Sequence, residues 1–314
     1  MKRDLKKIIS QMTLEEKAGM CSGLDFWHLK SVERLGIPEV MVSDGPHGLR
    51  KQDDKGDHLG MNDSIKAVCF PPAALSACSF DRSLMEAMGE TIGREAQAND
   101  VSVVLGPAVN IKRSPLCGRN FEYYSEDPYL SGTMSVASTG GIKDGGAWGT
   151  IKHFALNGQE SHRFKIDAVC SERAIRQIYL KSFEMAVKAG TVKTLMTAYN
   201  PINGHWAASN YDLCTTILRN EWGYDGIVMT DWWAKMNDVV EGGEESNQDT
   251  RDMVRSQNDV YMVVNNNGSE VNSNNDNTEE SIKEGRLTIG ELQRAAINIC
   301  NFILSAPVID CLLY

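Results

Sequence analysis

The apolar run Gly226-Ile227-Val228-Met229-Thr230 ends in Asp231-Trp232-Trp233, a carboxylate followed by two indoles. Such a run reads as a strand covered on both faces. A carboxylate at its C-terminal end lies where open α/β sheets and (β/α) barrels place their chemistry. Taken alone, the stretch fits better an aspartate that caps the next helix, with the two tryptophans in the core. The residues after four earlier apolar runs reverse that weighting. Asp44 and Arg50 stand on one Gly- and Pro-containing loop, Asp44-Gly45-Pro46-His47-Gly48-Leu49-Arg50. Arg119 and Glu122 stand on the next, Lys152, His153 and Arg163 on a third, and Tyr199 and Asn200 on a fourth. In a (β/α) barrel these loops converge at one rim. Carboxylate, guanidinium, ammonium, imidazole and indole groups in one pocket suit a polyhydroxyl ligand, because each sugar hydroxyl both donates and accepts. No Gly-rich phosphate cradle is present, and His153, His162 and His205 lack HExxH-type spacing. No cofactor or metal is therefore expected.

The elements that must hold these groups alternate from Glu39 to Asp231. Strands are predicted over 39–43, 101–105, 150–154, 194–200 and 226–231, with helices over 83–99, 172–189 and 211–222 between them. Asp81 stands where a cap is needed, the 172–189 helix starts at Ser171 or Glu172, and Thr13 with Glu16 forms a capping-box pattern. Residues 1–35 read as helical, 51–67 as loop, 241–250 as an acidic loop, 259–264 as a strand and 265–277 as an exposed Asn-rich loop. A helix follows over 288–304, with Leu292, Ala295, Ala296, Ile299 and Ile303 on one face. Lys152 and His153 are adjacent, so only a strand end or bulge lets both serve one site. The pattern predicts an α/β protein built as a (β/α)8 TIM-like barrel. Fewer than eight strands are legible, so a regular barrel and one irregular in its last strands fit the pattern equally.

Length and composition agree with that class. The chain has 314 residues, 42% of them hydrophobic and 24% charged, enough for one barrel with embellishments. The net charge of −10 argues against nucleic acid or an anionic membrane as partner. No run has the length of a membrane span, and Met1–Ile9 is basic without a signal-peptide core, so a cytoplasmic protein is expected. The eight scattered cysteines read as reduced and mostly buried.

The motifs, taken in order, resemble the N-terminal barrel domain of glycoside hydrolase family 3, on its β-glucosidase side. They are Met12-Thr13-Leu14-Glu15-Glu16-Lys17, Asp44 to Arg50, Gly118-Arg119-Asn120-Phe121-Glu122-Tyr123, Lys152-His153-Phe154, Gln159-Glu160-Ser161-His162-Arg163, Tyr199-Asn200 and Met229-Thr230-Asp231-Trp232. The resemblance implies a small carbohydrate substrate, a β-glucoside or oligosaccharide, hydrolysed with retention. It makes Asp231 the nucleophile, and Asp44, Arg50, Arg119, Lys152, His153, Arg163 and Tyr199 the lining of the sugar subsite. Trp232 is expected to floor that subsite and Trp233 to pack inward. Ala155-Leu156-Asn157-Gly158 replaces the Pro-Gly-His-Gly run of the N-acetylglucosaminidase branch. The expected organisation is a barrel over 1–305 and a tail over 306–314. In two-domain members the acid/base carboxylate comes from a second α/β domain, which is expected to be absent here. That leaves a non-catalytic sugar-binding barrel, or a barrel completed by a second chain or homo-oligomer over its rim, as alternatives.

Overall fold

The computed structural model describes residues 4–52, 63–263 and 268–307. Its centre is a set of parallel strands, Val40–Asp44, Val103–Leu105, Trp148–Phe154, Thr194–Thr197 and Ile227–Met229, hydrogen-bonded in that order. Every residue of the last four is buried. That explains why they read as continuous apolar runs rather than as alternating ones. Helices Arg82–Ala98 and Pro128–Asp144 cover this side of the sheet. Their backbones approach closely through glycine: a Cβ on Gly89 would lie 2.3 Å from the Ser138 carbonyl oxygen.

Beyond Met229 the pairing continues as single bridges. Val260 bridges Met229 in parallel and Tyr261 bridges Ser22 in parallel. Gly23 then bridges Leu29, and the strand His28–Leu29 pairs antiparallel with Val40 and Met41. The bridges thus run full circle back to the first parallel strand. The architecture is an irregular (β/α) barrel, regular through Ile227–Met229 and closed by short staves.

The capping signals hold. Thr13 and Glu16 form the capping box and Asp81 caps Arg82–Ala98; the structure adds Ser171 as cap of Glu172–Ala174 and Thr288 as cap of Ile289–Leu304. Three expectations need correction. Residues 1–35 are not one helical stretch: helices Leu5–Gln11 and Leu14–Met20 give way to the closing staves. The acidic segment forms a hairpin, Met236–Asp238 with Gly242–Ser246, whose second strand opens on the left-handed Gly242 and Gly243, where the register is irregular. The Asn-rich tract includes a buried Ser269, and a Cβ on Gly19 would lie 1.8 Å from its carbonyl oxygen. Most of the predicted 51–67 loop, residues 264–267, residues 1–3 and most of the predicted tail lie outside the described residues. All seven cysteines among the described residues are free. Cys21, Cys117, Cys214 and Cys300 are buried, while Cys69 and Cys78 are exposed.

One buried carboxylate ties three parts of the ring together. Asp259 Oδ2 accepts the Val228 N–H at 2.9 Å and Arg219 Nη2 at 2.6 Å, and its Oδ1 accepts Asn298 Nδ2 at 2.9 Å. Burial raises the Asp259 carboxyl above its ordinary range, against the pull of Arg219. Asp259→Ala would strand a buried guanidinium. A stability loss of about 3–5 kcal/mol is expected in urea unfolding. A loss under about 1 kcal/mol would mean that water replaces the carboxylate.

Candidate active site

Asp231 stands two residues beyond the Ile227–Met229 strand and is 8% exposed. Its Oδ1 accepts the Trp232 N–H at 2.8 Å, while Oδ2 lies 3.7 Å from His153 Nε2. Around it is a cavity of about 220 Å³, lined by Phe26, Trp27, Asp44, Leu105, Arg119, Lys152, His153, Met196, Tyr199, Asp231, Trp232 and Trp233. Seven of the residues singled out from sequence therefore meet in one place: Asp44, Arg119, Lys152, His153, Tyr199, Asp231 and Trp232. Lys152 Nζ lies 3.6 Å from Asp44 Oδ1.

Lys152 and His153 both reach the cavity because pairing with Thr194–Thr197 shifts register between Ile151 and Phe154. Asn110 fixes the main chain there. Its Oδ1 accepts the His153 N–H at 2.8 Å, and its Nδ2 donates to the His153 carbonyl oxygen at 2.9 Å. Asn110 is buried and was not singled out from sequence; a lone asparagine on a loop carries no pattern.

Arg50 and Arg163 stand outside this cavity. Arg50 lines a neighbouring cavity of about 500 Å³, which shares Asp44, Arg119 and Lys152 as a common wall. Arg163 lies behind Tyr199, its guanidinium 4.5 Å from that ring's centroid, and its Nη1 donates to Glu160 Oε2 at 2.8 Å. Glu160 also accepts from Asn157 at 2.9 Å and lies 4.0 Å from Arg119, which is ion-paired with Glu122. Two further wall residues, Phe26 and Trp27, escaped the sequence reading because their segment was taken as helix. The adjacent aromatic pair was the available signal.

The expected placement of the tryptophans is half reversed. Trp232 is buried in the cavity wall, with Nε1 donating to the Phe26 carbonyl oxygen at 3.1 Å. Trp233 does not pack inward: it is 43% exposed, because its left-handed backbone (φ 58°) breaks the strand alternation.

Burial raises the Asp231 carboxyl above its ordinary range, opposed by Arg119, the Trp232 N–H, Lys152 and Tyr199. The cations surrounding it do not bring it below that range. His153 is pushed well below its usual value, first by burial and then by Arg119, Lys152 and Arg163. It is therefore a neutral imidazole, and its contact with Asp231 is polar rather than ionic. Burial likewise raises the Tyr199 hydroxyl, which stays protonated and able to donate.

A raised carboxyl favours the fold while it holds its proton and loses that contribution as pH rises through its folded-state value. Asp231→Asn removes the ionisation. The variant should melt higher than the unaltered chain at neutral pH, with the advantage gone below about pH 4, near the ordinary carboxylate value. Melting temperature against pH checks this. An advantage that grows on acidification would place the carboxyl below its ordinary range instead.

Fold and site together define a barrel domain whose strand ends gather a buried carboxylate, cationic donors and aromatic walls. The sequence model of the glycosyl hydrolase family 3 N terminal domain matches residues 28–302, and the chain belongs to glycoside hydrolase family 3. It is 55% identical over 239 residues to thermostable β-glucosidase B of Acetivibrio thermocellus, covering 76% of this chain and 32% of that protein. It is 42% identical over 306 residues to an exo-α-(1→6)-L-arabinopyranosidase of Bifidobacterium breve, covering 96% and 38%. The solved β-glucosidase of Paenibacillus barengoltzii matches with a TM-score of 0.90 at 50% identity, over 98% of this chain and 34% of that one. The chain spans about a third of the length of these relatives.

Proposed function

We propose that this barrel binds the terminal non-reducing sugar of β-glucosides and hydrolyses them with retention through a covalent intermediate on Asp231. The observation that carries this reading is the buried Asp231 carboxylate, held by the Trp232 N–H and facing the Tyr199 hydroxyl, at a cavity ringed by Asp44, Arg119, Lys152, His153 and Tyr199. The names of the relatives, β-glucosidases and an arabinopyranosidase, favour a terminal pyranoside as substrate. Asp231 would bond to the anomeric carbon as the bond to the leaving oxygen breaks, and that oxygen would depart with the electron pair. Arg119 and Lys152 would hold the attacking carboxylate charged. Neutral His153 and protonated Tyr199 would donate to sugar hydroxyls, and Asp44 would accept from them.

Protonation of the leaving oxygen needs a second carboxyl group. Among the described residues, those beside the cavity are already engaged. Glu122 pairs with Arg119, Glu160 with Arg163 and Asn157, and Asp44 with Lys152. In this reading the acid/base comes from further residues of a longer polypeptide or from another chain at the rim. A dinitrophenyl glucoside needs no proton to leave, so it should glycosylate the 314-residue chain in a burst. Intact-mass spectrometry should then show one hexose on the protein, and none on Asp231→Ala. Steady turnover should lag by about a hundred- to ten-thousand-fold for want of acid/base help. Fast hydrolysis of cellobiose by the same chain would overturn this assignment of the acid.

Binding gives a separate check. Asp44→Ala leaves Lys152 without its carboxylate partner and removes an acceptor from the sugar. Calorimetric glucose affinity should fall at least about tenfold, the worth of a charged hydrogen bond. Unchanged affinity would remove Asp44 from the sugar contacts.

A further inference from the structure

Away from the cavity, two surface segments are zipped together on one side of the barrel. Residues 247–249 follow the exposed strand Gly242–Ser246, and residues 272–277 precede helix Thr278–Lys283. Asn274 Nδ2 donates to the Asn247 carbonyl oxygen at 3.0 Å, Gln248 Nε2 to the Asn274 carbonyl oxygen at 3.2 Å, and the Asn277 N–H to the Gln248 carbonyl oxygen at 3.2 Å. Such surface bonds contribute little by themselves. The strip is fastened at Asp249, whose Oδ1 accepts Asn277 Nδ2 at 2.6 Å, directly before helix Thr250–Arg255.

The fastening is crowded with negative charge. Arg251 is ion-paired with Asp252, and its Nη2 also lies 3.6 Å from Asp249 Oδ2 and 3.7 Å from Asp238 Oδ2. Arg255 Nη1 stands 3.8 Å from Asp252 Oδ1, while its Nε faces Glu291 of helix Ile289–Leu304 at 3.9 Å. That helix also presents Arg294, which donates to the Val254 carbonyl oxygen. Of the other elements packed here, Thr278–Lys283 brings the buried Thr278 and Ser281 hydroxyls, and Ala207–Ser209 carries no titratable side chain. Asp238, Asp249, Asp252 and Glu291 thus face Arg251 and Arg255, with Asp252 fully buried. The Asp249 and Asp252 carboxyls are hydrogen-bonding neighbours. Two carboxylates cannot bond each other, so that bond requires a proton on one of them. Burial, then Asp249, raises the Asp252 carboxyl to about 7, against the pull of Arg251.

We propose that Asp249 and Asp252 form a proton-operated clasp that fastens the surface strip to the barrel and releases it when their shared proton is lost. Asp252 is enclosed, so Asp249, partly open to solvent at the helix start, is the partner that leaves, and the strip anchored on it leaves with it. A carboxyl raised in the closed state contributes stability while protonated, fully below the ordinary value of about 4, and loses it as pH rises through about 7. Opening releases one proton across that window, so the opening equilibrium rises up to about tenfold per pH unit and levels off above it.

Hydrogen exchange of the 314-residue chain, followed by mass spectrometry from pH 5 to 8 and corrected for the intrinsic rate at each pH, reads this equilibrium. Protection of peptides spanning 242–249 and 272–277 should fall about tenfold per unit from about pH 5 to 7 and then stay level. The core strand Ile227–Met229 should hold its protection throughout. Asp249→Asn replaces the shared proton with an amide donor and keeps an acceptor for Asn277, so protection of the strip should no longer depend on pH. Asp252→Asn should flatten it likewise from the buried side. A slope that survives in either folded variant, or none in the unaltered chain, would overturn the clasp. So would the same slope in Ile227–Met229, which would assign the proton to global unfolding.

Discussion

Taking the Asp231 carboxylate out of water at a strand end costs several kcal/mol unless charge and donors stand around it. Those groups come from different strands: Arg119 after Val103–Leu105, Lys152 on Trp148–Phe154, Tyr199 after Thr194–Thr197. The cations that serve Asp231 then need carboxylates of their own. Arg119 has Glu122 and Glu160, and Lys152 has Asp44. The site is thus a chain of alternating charge in which each ion is tolerated because the next is present. His153 follows from the same constraint. Enclosed by cations, it stays neutral and contributes a dipole where a further positive charge would be repelled.

The parts of the fold that were legible in sequence are those whose signal is local. Continuous apolar runs marked the parallel strands, and Thr13 and Asp81 marked helix starts through bonds to residues three positions away or fewer. Of the closing staves, Val260 and Tyr261 were legible within the strand predicted over 259–264, and those near the N-terminus were not. His28–Leu29 is only two residues long, and Ser22 finds its partner, Tyr261, at the far end of the chain. The hairpin at 236–246 has a buried first strand of only three residues and an exposed second strand, so it shows no alternation of apolar residues.

The site was legible by residue type more than by placement. Charged and aromatic residues at successive strand ends identified most of the cavity wall. Arg163 was harder to place, because a guanidinium can grip a ligand or stack behind a ring; here it stacks on Tyr199 and binds Glu160. Period-two alternation failed for Trp232 and Trp233, since the strand ends at Met229 and Trp233 turns left-handed. It failed again for Lys152 and His153, where the register slips. Both failures fall at the cavity, where the backbone departs from regular geometry to turn side chains toward one space.

The closure of the ring bears on how the chain is made. The staves contributed by Ser22 and Gly23 are synthesised early, and the stave at Val260 and Tyr261 appears only after every other strand of the barrel. During translation the open sheet therefore waits with one edge unsatisfied at Ile227–Met229 and another at Ser22–Gly23. Such edges are templates for pairing with a neighbouring chain. Contacts this distant in sequence also carry a large loop-closure entropy and slow the final step of assembly. A nascent barrel of this kind is most exposed to mispairing just before its seam is joined, and the hydrogen bonds of Tyr261 with Cys21 and Gly23 end that interval.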